Sequence, residues 1–406
     1  MPQANYTFSY KDITDRKRKN LSILDCIRRK GTISRTDISK ETGINIVSVS
    51  NYITNYIKKN LVLECGLDIS TGGRRPELVK LNLENAYIIG VDLGPEKIVS
   101  VITDLGLKAK AKISIPRPQT NIEDAVKDTT EAIDKLIKSN NINIKDVRLI
   151  GIGASGVVDI TSGTIHDTDP NRGRTRTNIF SFAKSLENKF KIQALVGNDA
   201  TCAAFGELNL NQGSEISNML FIYSDVGCGI IINGDIYCGS SGAAGEIQLL
   251  LNGKPEKYTL DEEAAYGIRG VDLGITDKAK ELIADEKNSL IAKLSKNDKN
   301  KITKELILQA AKEKDKFAVK LIVDAAHWLG IKVAYLINIF NPQIVAIGGG
   351  MEKGGEAFFN PLIACIKIHA FEECFNAVKI LPSYLGEDAV SLGAAALSVR
   401  ELFLNA

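Results

Sequence analysis

Three short stretches between residues 197 and 246 carry side chains that suit a polyhydroxylated ligand. Asn198 and Asp199 place an amide beside a carboxylate, close-set glycines follow within 227–230, and Glu246 ends a run of small residues. Carboxylates and carboxamides bind sugar hydroxyls in fixed directions, because each hydroxyl both donates and accepts hydrogen bonds. Glycine lets the backbone approach a ligand closely. These residue types therefore predict a cleft that holds a sugar.

The segments around these stretches follow the pattern of an α/β fold. Apolar strands are predicted at 88–94, 99–103, 111–115 and 149–153, and a helix is predicted at 122–139. Strands interrupted by a helix in this order indicate an α/β lobe. The chain continues with a mainly helical region at 260–329, whose charged middle at 281–304 is expected to face solvent. An apolar helix at 328–340, a strand at 344–347 and a small-residue helix at 392–396 follow.

The first 80 residues differ from the rest in charge. They hold 15 Lys and Arg against 8 Asp and Glu, whereas the remainder holds 36 against 41. A basic segment joined to a mildly acidic body predicts that this segment meets a polyanion.

Periodicity in the basic segment predicts a helix-turn-helix. A basic amphipathic helix spans 12–30, and Ser34 with Asp37 marks the start of a second helix, which Gly43 ends. Asn45 caps a third helix whose apolar side chains share one face, namely Ile46, Val49, Ile53 and Ile57. A helix, a short glycine turn and a second helix make up the motif.

The third helix and the segment after it carry the predicted DNA contacts. Hydroxyls and carboxamides on this helix can read base edges in the major groove. Two short strands around residues 72–76 resemble a wing, whose arginines reach phosphates or the minor groove. The candidate DNA-binding residues are Ser34, Arg35, Asn45, Ser48, Ser50, Asn51, Arg74 and Arg75. The alternative is a three-helix packing module with solvated lysines, and DNA binding is favoured because turn, charge and wing agree.

Length and composition limit the other classes. A chain of 406 residues has room for two or three domains, and 44% hydrophobic and 25% charged residues are typical of a soluble globular protein. No apolar run approaches the roughly 18 residues of a membrane span, and the basic start lacks the apolar core of a signal peptide. Seven scattered cysteines without close pairs indicate a reducing compartment, so a cytoplasmic location is expected.

Five motifs in order resemble the ROK family of repressors and sugar kinases, and the resemblance extends over nearly the whole chain. The motifs lie at 90–94, 197–200 with 206–207, 226–234, 242–246 and 347–350. The resemblance implies two actin-like lobes with a sugar in the cleft between them. It also implies homodimers or homotetramers and, in the regulators, a sugar that alters the affinity for an operator.

The resemblance also transfers family positions to individual residues of this chain. The residues it assigns to the sugar are Asn171, Asn198, Asp199, Glu246 and Glu262, and the last shares its assignment with the neighbouring Asp261. In the kinases of the family, the position of Asp199 is the general base that takes the proton of the attacking sugar hydroxyl.

The phosphate loops depart from the kinase pattern. Family kinases carry Asp-x-Gly-Gly-Thr in the first loop, where this chain has Pro95 and Glu96 after its first glycine. Pro95 removes an amide donor, and Glu96 sets a negative charge toward the nucleotide phosphates. In the second loop, Tyr223-Ser224-Asp225 stands where Gly-Thr-Gly is expected, so Asp225 adds another acid where an anion should bind. Phosphorylation by ATP is therefore expected to be lost, and no catalytic residue is assigned. The glycines at 348–350 leave two alternatives open: they bind the adenosine of a nucleotide, as in the kinases, or they form a tight strand-to-helix turn.

The zinc motif of the family is missing as well. Leu249 stands where a histidine is expected, and residues 252–260 lack the close-set cysteines that tetrahedral zinc requires. No metal or other cofactor is therefore expected.

These features together predict a sugar-responsive transcriptional regulator, a repressor of carbohydrate-utilisation genes without kinase activity. Its expected parts are a winged helix-turn-helix domain at 1–84, a first lobe at 85–194 completed by about 388–406, and a second lobe at 195–387 with an oligomerisation surface. The expected partners are an operator, a monosaccharide or sugar derivative, and further copies of the chain in a homodimer or homotetramer, with no membrane. The alternatives are a sugar kinase with a DNA-binding head and a constitutive DNA-binding protein with a degenerate cleft.

Overall fold

The structure is a computed structural model, and it describes residues 6–10, 13–67, 77–84, 86–118, 122–159, 164–167, 175–210, 216–223, 227–247, 272–286 and 288–406. Contacts along the chain divide it into two units. Unit 1 comprises Met1–Asp167, Thr175–Leu210 and Val390–Ala406, and unit 2 comprises Thr168–Arg174 and Asn211–Ala389. The domain boundaries at residues 84 and 194 stay predictions.

The first elements of unit 1 form a winged helix-turn-helix, which we call the head. Its helices are α1 (Asp15–Lys30), α2 (Arg35–Thr42) and α3 (Ile46–Lys58), and its strands are β1 (Ile33–Ser34), β2 (Val62–Leu67) and β3 (Glu77–Leu81). β3 lies between β1 and β2 and is antiparallel to both. The predicted pair of wing strands is therefore present.

Short polar side chains determine where the helices of the head begin. Thr14, Ser34 and Asn45 each accept a hydrogen bond from the backbone amide three residues further on, at 3.4, 3.1 and 2.9 Å. These caps satisfy amides that have no partner within their helix. Gly43 ends α2 with a φ of 69°, a left-handed conformation that suits glycine. The predicted starts of α2 and α3 and the predicted end of α2 are confirmed.

A five-stranded mixed sheet forms the centre of the rest of unit 1, which we call the first lobe. Its strands are β4 (Tyr87–Leu93), β5 (Lys97–Asp104), β6 (Ala109–Pro116), β7 (Val147–Ala154) and β11 (Ala194–Asn198). Between β7 and β11 the chain forms a separate small sheet of β8 (Val157–Asp159), β9 (Thr164–Asp167) and β10 (Thr175–Asn178). The order in the five-stranded sheet is β11-β7-β4-β5-β6. β4, β7 and β11 run parallel, whereas β5 is antiparallel to both its neighbours.

Unit 2, which we call the second lobe, contains a sheet with the same pattern. Its strands are β12 (Met219–Tyr223), β13 (Gly227–Ile232), β14 (Asp235–Ile236), β15 (Ile344–Gly348) and β16 (Lys379–Pro382), in the order β14-β13-β12-β15-β16. Each sheet starts with an antiparallel meander and adds two parallel strands on the other side of its first strand. The two lobes therefore repeat one topology, although no repeat period is visible in the sequence.

Helices connect the strands of both sheets. In the first lobe they are α4 (Ile122–Ser139), α5 (Ile179–Phe190) and α6 (Asp199–Leu210). The second lobe contains α7 (Ile275–Leu282), α8 (Leu290–Ser295), α9 (Lys304–Lys312), α10 (Lys316–Phe340), α11 (Glu356–His369) and α12 (Glu372–Ala377). α13 (Ala389–Leu404) belongs almost wholly to unit 1. Among the described residues, none of these helices combines the length and the apolar character that a membrane span needs.

The helical region before residue 340 differs from its prediction in two places. α10 begins at Lys316, well before the predicted 328, because Asp315 caps it by accepting from the Ala318 amide at 2.8 Å. The charged stretch predicted to face solvent contains α8, whose Ile291 and Ala292 are buried in the core of the second lobe. Few apolar residues suffice there, because Ile283, Ile291 and Ile302 face inward, although Leu294 is 40% exposed.

Each lobe has its own apolar core. In the first lobe, α4 and α5 pack side chains such as Ile133 and Phe182 against the sheet. α13 approaches the same sheet so closely that a Cβ at Gly90 would lie 2.0 Å from the Ser391 carbonyl oxygen. Glycine is therefore required where this helix crosses β4.

A segment ahead of α1 belongs to the sheet of the first lobe, a placement that the sequence did not predict. The Val196 amide donates to the Tyr6 carbonyl at 2.7 Å, alongside β11. Arg400 on α13 donates to the Ser9 carbonyl at 2.6 Å, and Glu401 accepts from the Ser9 amide and hydroxyl, both at 2.9 Å. The head is thus joined to the first lobe on both sides of its helices.

Candidate functional site

Asn198 and Asp199 lie where β11 ends and α6 begins. Asn198 accepts from the Thr201 amide through Oδ1 at 3.0 Å, and its Nδ2 donates to the Gly156 carbonyl at 3.2 Å. Asn198 is therefore the N-cap of α6, and both contacts hold its carboxamide in one orientation. Oδ1 has a second lone pair, which can accept a hydrogen bond from a ligand.

Asp199 is a buried carboxyl, 7% exposed, in the first turn of α6. Burial raises its pKa to about 6, while hydrogen bonds from the Ala200 amide at 2.7 Å and from the Ser155 and Asn198 side chains oppose the rise. At pH 7 the carboxyl is mostly ionised and can accept a hydrogen bond from a hydroxyl.

Ser155 and Gly156 complete the polar group around this pair. β7 and β11 are parallel and pair Ala154 with Asn198, so the residues that follow the two strands meet at one edge of the sheet. Ligands of open α/β sheets bind at such carboxyl ends of strands. Ser155 was not predicted from the sequence, and the parallel pairing of β7 with β11 is the signal that identifies it.

In the second lobe, Glu246 follows a turn that packs on β13. The Cys228 amide donates to the Gly245 carbonyl at 2.7 Å, and a Cβ at Gly245 would lie 1.9 Å from the Cys228 carbonyl oxygen. Gly245 also has a φ of 96°, which side chains disfavour. The turn therefore depends on this glycine, and it leaves Glu246 exposed.

The first phosphate loop is a tight turn between β4 and β5. Pro95 and Glu96 are exposed in it. Arg117 donates through Nη1 to the Gly94 carbonyl at 3.0 Å and through its backbone amide to the Glu96 carbonyl at 2.8 Å. This loop offers a carboxylate and lacks one amide, which is unfavourable for a nucleotide phosphate.

The glycine run after β15 forms a strand-to-helix turn. Gly349 and Gly350 have φ values of 89° and 102°, and a 3-10 helix follows at Met351–Gly354. Lys304 donates from Nζ to the Gly349 carbonyl at 3.4 Å, and Glu352 accepts from the Gly350 amide at 2.7 Å. Of the two alternatives for this run, these contacts support the turn.

Several predicted positions lie outside the described residues and stay predictions. They are Asn171, Asp261 and Glu262 of the sugar set, Arg74 and Arg75 of the wing, Asp225 of the second phosphate loop, and Leu249 of the zinc motif. Within the described part of the chain, no group of three His, Cys, Asp or Glu side chains is placed to hold a metal ion.

α3 presents a polar surface away from the core of the head. Asn45 and Asn51 are exposed, and Ser48 and Ser50 are half-buried. Ile46 and Val47 are 42% and 68% exposed. Ile46 begins the predicted apolar face of this helix, but the buried part of α3 starts only at Val49. The first turn of α3 therefore projects both polar and apolar side chains.

Two predicted DNA contacts are engaged inside the head instead. Ser34 is 1% exposed, and its hydroxyl donates to the Asp37 carboxylate at 2.6 Å while it caps α2. Arg35 forms ion pairs with Glu64 and Glu77, both at 2.9 Å. Ser34 and Arg35 therefore have partners within the head, and their assignment to DNA stays a prediction, as does that of the exposed residues of α3.

The sequence of the body matches a known family. Residues 88–256 and 270–401 match the sequence profile described as the ROK family. The chain belongs to the ROK family. It is 29% identical over 386 residues to the xylose repressor of Caldicellulosiruptor bescii, and the alignment covers 94% of this chain and 95% of that protein. It is 27% identical over 387 residues to the DNA-binding transcriptional dual regulator NagC of Escherichia coli, covering 93% and 91%.

Solved ROK structures share the fold. A ROK family transcriptional regulator, a homolog of the E. coli MLC protein, has a TM-score of 0.76 at 21% identity and covers 96% of this chain and 98% of its own. A ROK family glucokinase from Streptomyces griseus, in complex with glucose and AMPPNP, has a TM-score of 0.63 at 24% identity and covers 77% and 99%. These matches confirm the predicted α/β class, with a winged head and two actin-like lobes.

Proposed function

We propose that this ROK protein is a sugar-responsive transcriptional repressor of carbohydrate-utilisation genes, and that it is not an enzyme. One observation carries the proposal. A single unit combines a basic winged head with the Asn198 and Asp199 pair, while its first phosphate loop carries Pro95 and Glu96. Relatives named as repressors align with more than nine-tenths of the chain, whereas the glucokinase covers 77% of it.

The effector in this proposal is a monosaccharide held at Asn198 and Asp199. The ionised Asp199 accepts a hydrogen bond from one sugar hydroxyl, and the second lone pair of Asn198 Oδ1 accepts from another. Glu246, Asn171 and Glu262 remain the further sugar contacts that the family resemblance predicts. D-Xylose is the first candidate and N-acetylglucosamine the second, because relatives named for these sugars align with nearly the whole chain.

The head binds operator DNA through α3. The exposed start of α3 enters the major groove, where the Asn51 carboxamide and the Ser48 hydroxyl reach base edges. Ile46 and Val47 add apolar surface that suits thymine methyl groups. Arg74 and Arg75 remain the predicted wing contacts to phosphate or the minor groove. A protein that acts on the operators of metabolic genes works beside the DNA, and the proposed location is the cytoplasm.

Two copies of the chain form the DNA-binding species. Four large apolar side chains of the second lobe are 55–74% exposed, namely Tyr335, Ile339, Ile368 and Phe371. Asn338 holds this 335–371 patch together, because it accepts from the Phe371 amide at 2.9 Å and donates to the His369 carbonyl at 3.4 Å. Exposed apolar patches mark interaction sites. We assign the patch to contact with a second copy, which presents two α3 helices to half-sites about 34 Å apart.

Operator selection followed by sugar titration tests the proposal. A binding site is selected from random double-stranded DNA, and its affinity is measured by fluorescence anisotropy with a panel of monosaccharides. The effector is expected to raise the operator Kd by about fivefold or more. Asp199→Ala is expected to abolish this response and to retain operator binding. Indifference of the wild-type protein to every sugar would contradict the effector model and favour constitutive DNA binding.

A sugar kinase with a DNA-binding head is the second candidate, because a carboxyl with a pKa of about 6 suits a general base. The exposed Pro95 and Glu96 argue against it. A coupled assay of ADP release with hexoses and pentoses separates the two functions. We expect no turnover, whereas a rate above roughly 1 per second would fit a working kinase.

A further inference from the structure

Helix α1 contacts both the recognition helix α3 and the first lobe through buried polar side chains. Asn20 and Arg28 make these contacts from two positions that are about 12 Å apart along α1. Both residues belong to the same unit as α6 and α13. α1 is therefore placed between the proposed sugar site and the proposed DNA-reading helix.

Asn20 uses both ends of its carboxamide to join α3 to α13. It is 2% exposed, and its Oδ1 accepts from the Tyr56 hydroxyl on α3 at 2.8 Å. Its Nδ2 donates to the carbonyls of Leu404 and Ala406 at 3.3 and 2.9 Å. Breaking one of these bonds leaves a buried polar atom unsatisfied, which is costly. The end of α13 and the recognition helix are thus held in one arrangement.

Arg28 joins α1 to the helix that starts at the sugar pair. Its Nη2 donates to Asn209 Oδ1 at 2.9 Å, and the guanidinium pairs with Asp25 at 2.8 Å. Asn209 is fixed on the last turn of α6, because its Nδ2 donates to the Phe205 carbonyl at 3.0 Å. Asp199 lies on the first turn of the same helix, about 15 Å away along its axis.

α6 is buried along most of its length, so we expect any displacement of it to be a rigid-body movement. Every residue from Asp199 to Glu207 is buried. Gly393 of α13 lies against it so closely that a Cβ there would be 1.8 Å from the Cys202 carbonyl oxygen. Close-packed interiors transmit displacements rather than absorb them. A shift at Asp199 therefore reaches both Asn209 and α13.

We propose that Asn20 and Arg28 are positioning residues that couple the sugar site to the recognition helix. α1 receives a displacement of α6 at Arg28 and a displacement of α13 at Asn20, and it passes both to α3 through Tyr56. This inference rests on the proposed function. A sugar that prefers one placement of α6 shifts the head by no more than its difference in affinity for the two placements. The competing role is purely structural, since Asn20 also caps carbonyls at the end of α13.

Two substitutions break the coupling contacts, and a third serves as the matched control. Asn209→Ala removes the lobe side of the Arg28 contact, and Tyr56→Phe removes one hydroxyl from the Asn20 contact. Neither changes a side chain proposed to touch sugar or DNA. Arg29→Ala is the control, because Arg29 pairs with the same Asp25 at 3.0 Å from the next position on α1 while its side chain is 68% exposed.

The quantity to measure is the coupling factor, the operator Kd with saturating sugar divided by the operator Kd without it. D-Xylose is the first probe and N-acetylglucosamine the second. Asn209→Ala and Tyr56→Phe are each expected to lower the factor about threefold or more, and their combination is expected to bring it near one. The sugar Kd without DNA should stay within about threefold of wild type, and thermal unfolding should stay cooperative. Arg29→Ala should keep the wild-type factor.

Three other outcomes would count against the inference. A wild-type coupling factor in the combined variant would overturn it and leave the proposed function standing. A lower thermal midpoint with an unchanged factor would also overturn it, because a structural role alone predicts that pattern. A wild-type protein that responds to neither probe nor to any sugar of the panel would overturn the proposed function and this inference with it.

Discussion

At the scale of single residues, two opposing influences act on the proton of Asp199. Burial disfavours the charged carboxylate, whereas the Ala200 amide and the positive end of α6 favour it. Burial prevails, and the pKa is about 6. The carboxylate is therefore charged but poorly hydrated at pH 7. A sugar hydroxyl can donate to it the hydrogen bond that water would donate to an exposed carboxylate.

The raised pKa of Asp199 predicts a pH dependence of stability that Asp199→Asn removes. The carboxyl has a pKa near 3.9 in an unfolded chain, so between about pH 4 and pH 6 the folded protein binds the additional proton. The contribution of the protonated carboxyl to the free energy of unfolding is complete below about pH 4. The free energy of unfolding then falls by roughly 3 kcal/mol as the pH rises through the folded pKa of about 6. Urea unfolding of the wild-type protein and of Asp199→Asn, both without sugar and from about pH 4 to pH 7, measures the difference in their free energies of unfolding. Parallel stability profiles would contradict the assigned pKa.

Gly245 carries a second prediction at this scale. Gly245→Ala is expected to lower the free energy of unfolding by at least about 2 kcal/mol, because the new Cβ meets the Cys228 carbonyl oxygen at a positive φ. Gly234→Ala is the control, since Gly234 has a φ of 76° but open space around its Cβ. Its cost should stay near 1 kcal/mol, about the backbone part alone. Equal losses in the two variants would rule out the steric explanation.

At the scale of elements, local causes were predictable from the sequence and distant partners were not. The caps at Ser34 and Asn45 act within one helical turn, so the sequence located these helix starts. The pairing of Tyr6 with Val196 joins residues far apart in the chain, and no local pattern encodes it. The exposure of Ile46 could not be predicted, because periodicity defines a helix face but not how far the core extends beneath it.

The same distinction applies to the candidate site. Asn198 and Asp199 were found because an amide and a carboxylate stand side by side in the sequence. Ser155 was missed because its place beside them depends on the parallel pairing of β7 with β11. The contacts of Asn20 were equally hidden, since their partners lie on α3 and at the end of α13.

The recognition helix yields a prediction about specificity. Asn51→Ala is expected to weaken operator binding about 10- to 100-fold and to flatten the preference at one base pair, because a carboxamide reads a base edge. Lys58→Ala, at the exposed end of the same helix, should weaken binding to all sequences alike and reduce the salt dependence. Anisotropy titrations on the selected operator and its single-base variants separate the two effects. An Asn51→Ala variant that keeps the wild-type base preference would remove this residue from direct readout.

At the scale of the whole molecule, the head is built into the unit that holds the sugar pair. Tyr6 and Thr7 pair with Val196 of β11, and α1 contacts both α6 and the end of α13. A signal from Asp199 can therefore reach the head through packed elements rather than through a free linker. The 335–371 patch, on the second lobe, is the surface that we assign to a second copy.

Charge placed in that patch is expected to prevent dimer formation. Combining Ile368→Glu with Phe371→Glu should give monomers and weaker operator binding, because burying two unpaired carboxylates is costly. Val323→Glu is the control, since Val323 is 37% exposed on α10, about 18 Å along the helix from Tyr335. Light scattering after size exclusion measures the mass. A monomeric wild-type protein, or a double variant that stays dimeric, would contradict the assignment.

Reciprocal binding is the most direct test of the central claim, that sugar at Asn198 and Asp199 and DNA at α3 favour different arrangements of one protein. Linkage requires that operator DNA weaken sugar binding by the same factor by which the sugar weakens operator binding. Isothermal titration calorimetry of D-xylose into the protein, with and without saturating operator, measures that factor. We predict a sugar Kd that operator DNA raises about fivefold or more, and no sugar binding by Asp199→Ala in either titration. A sugar Kd that is the same with and without operator would contradict the claim.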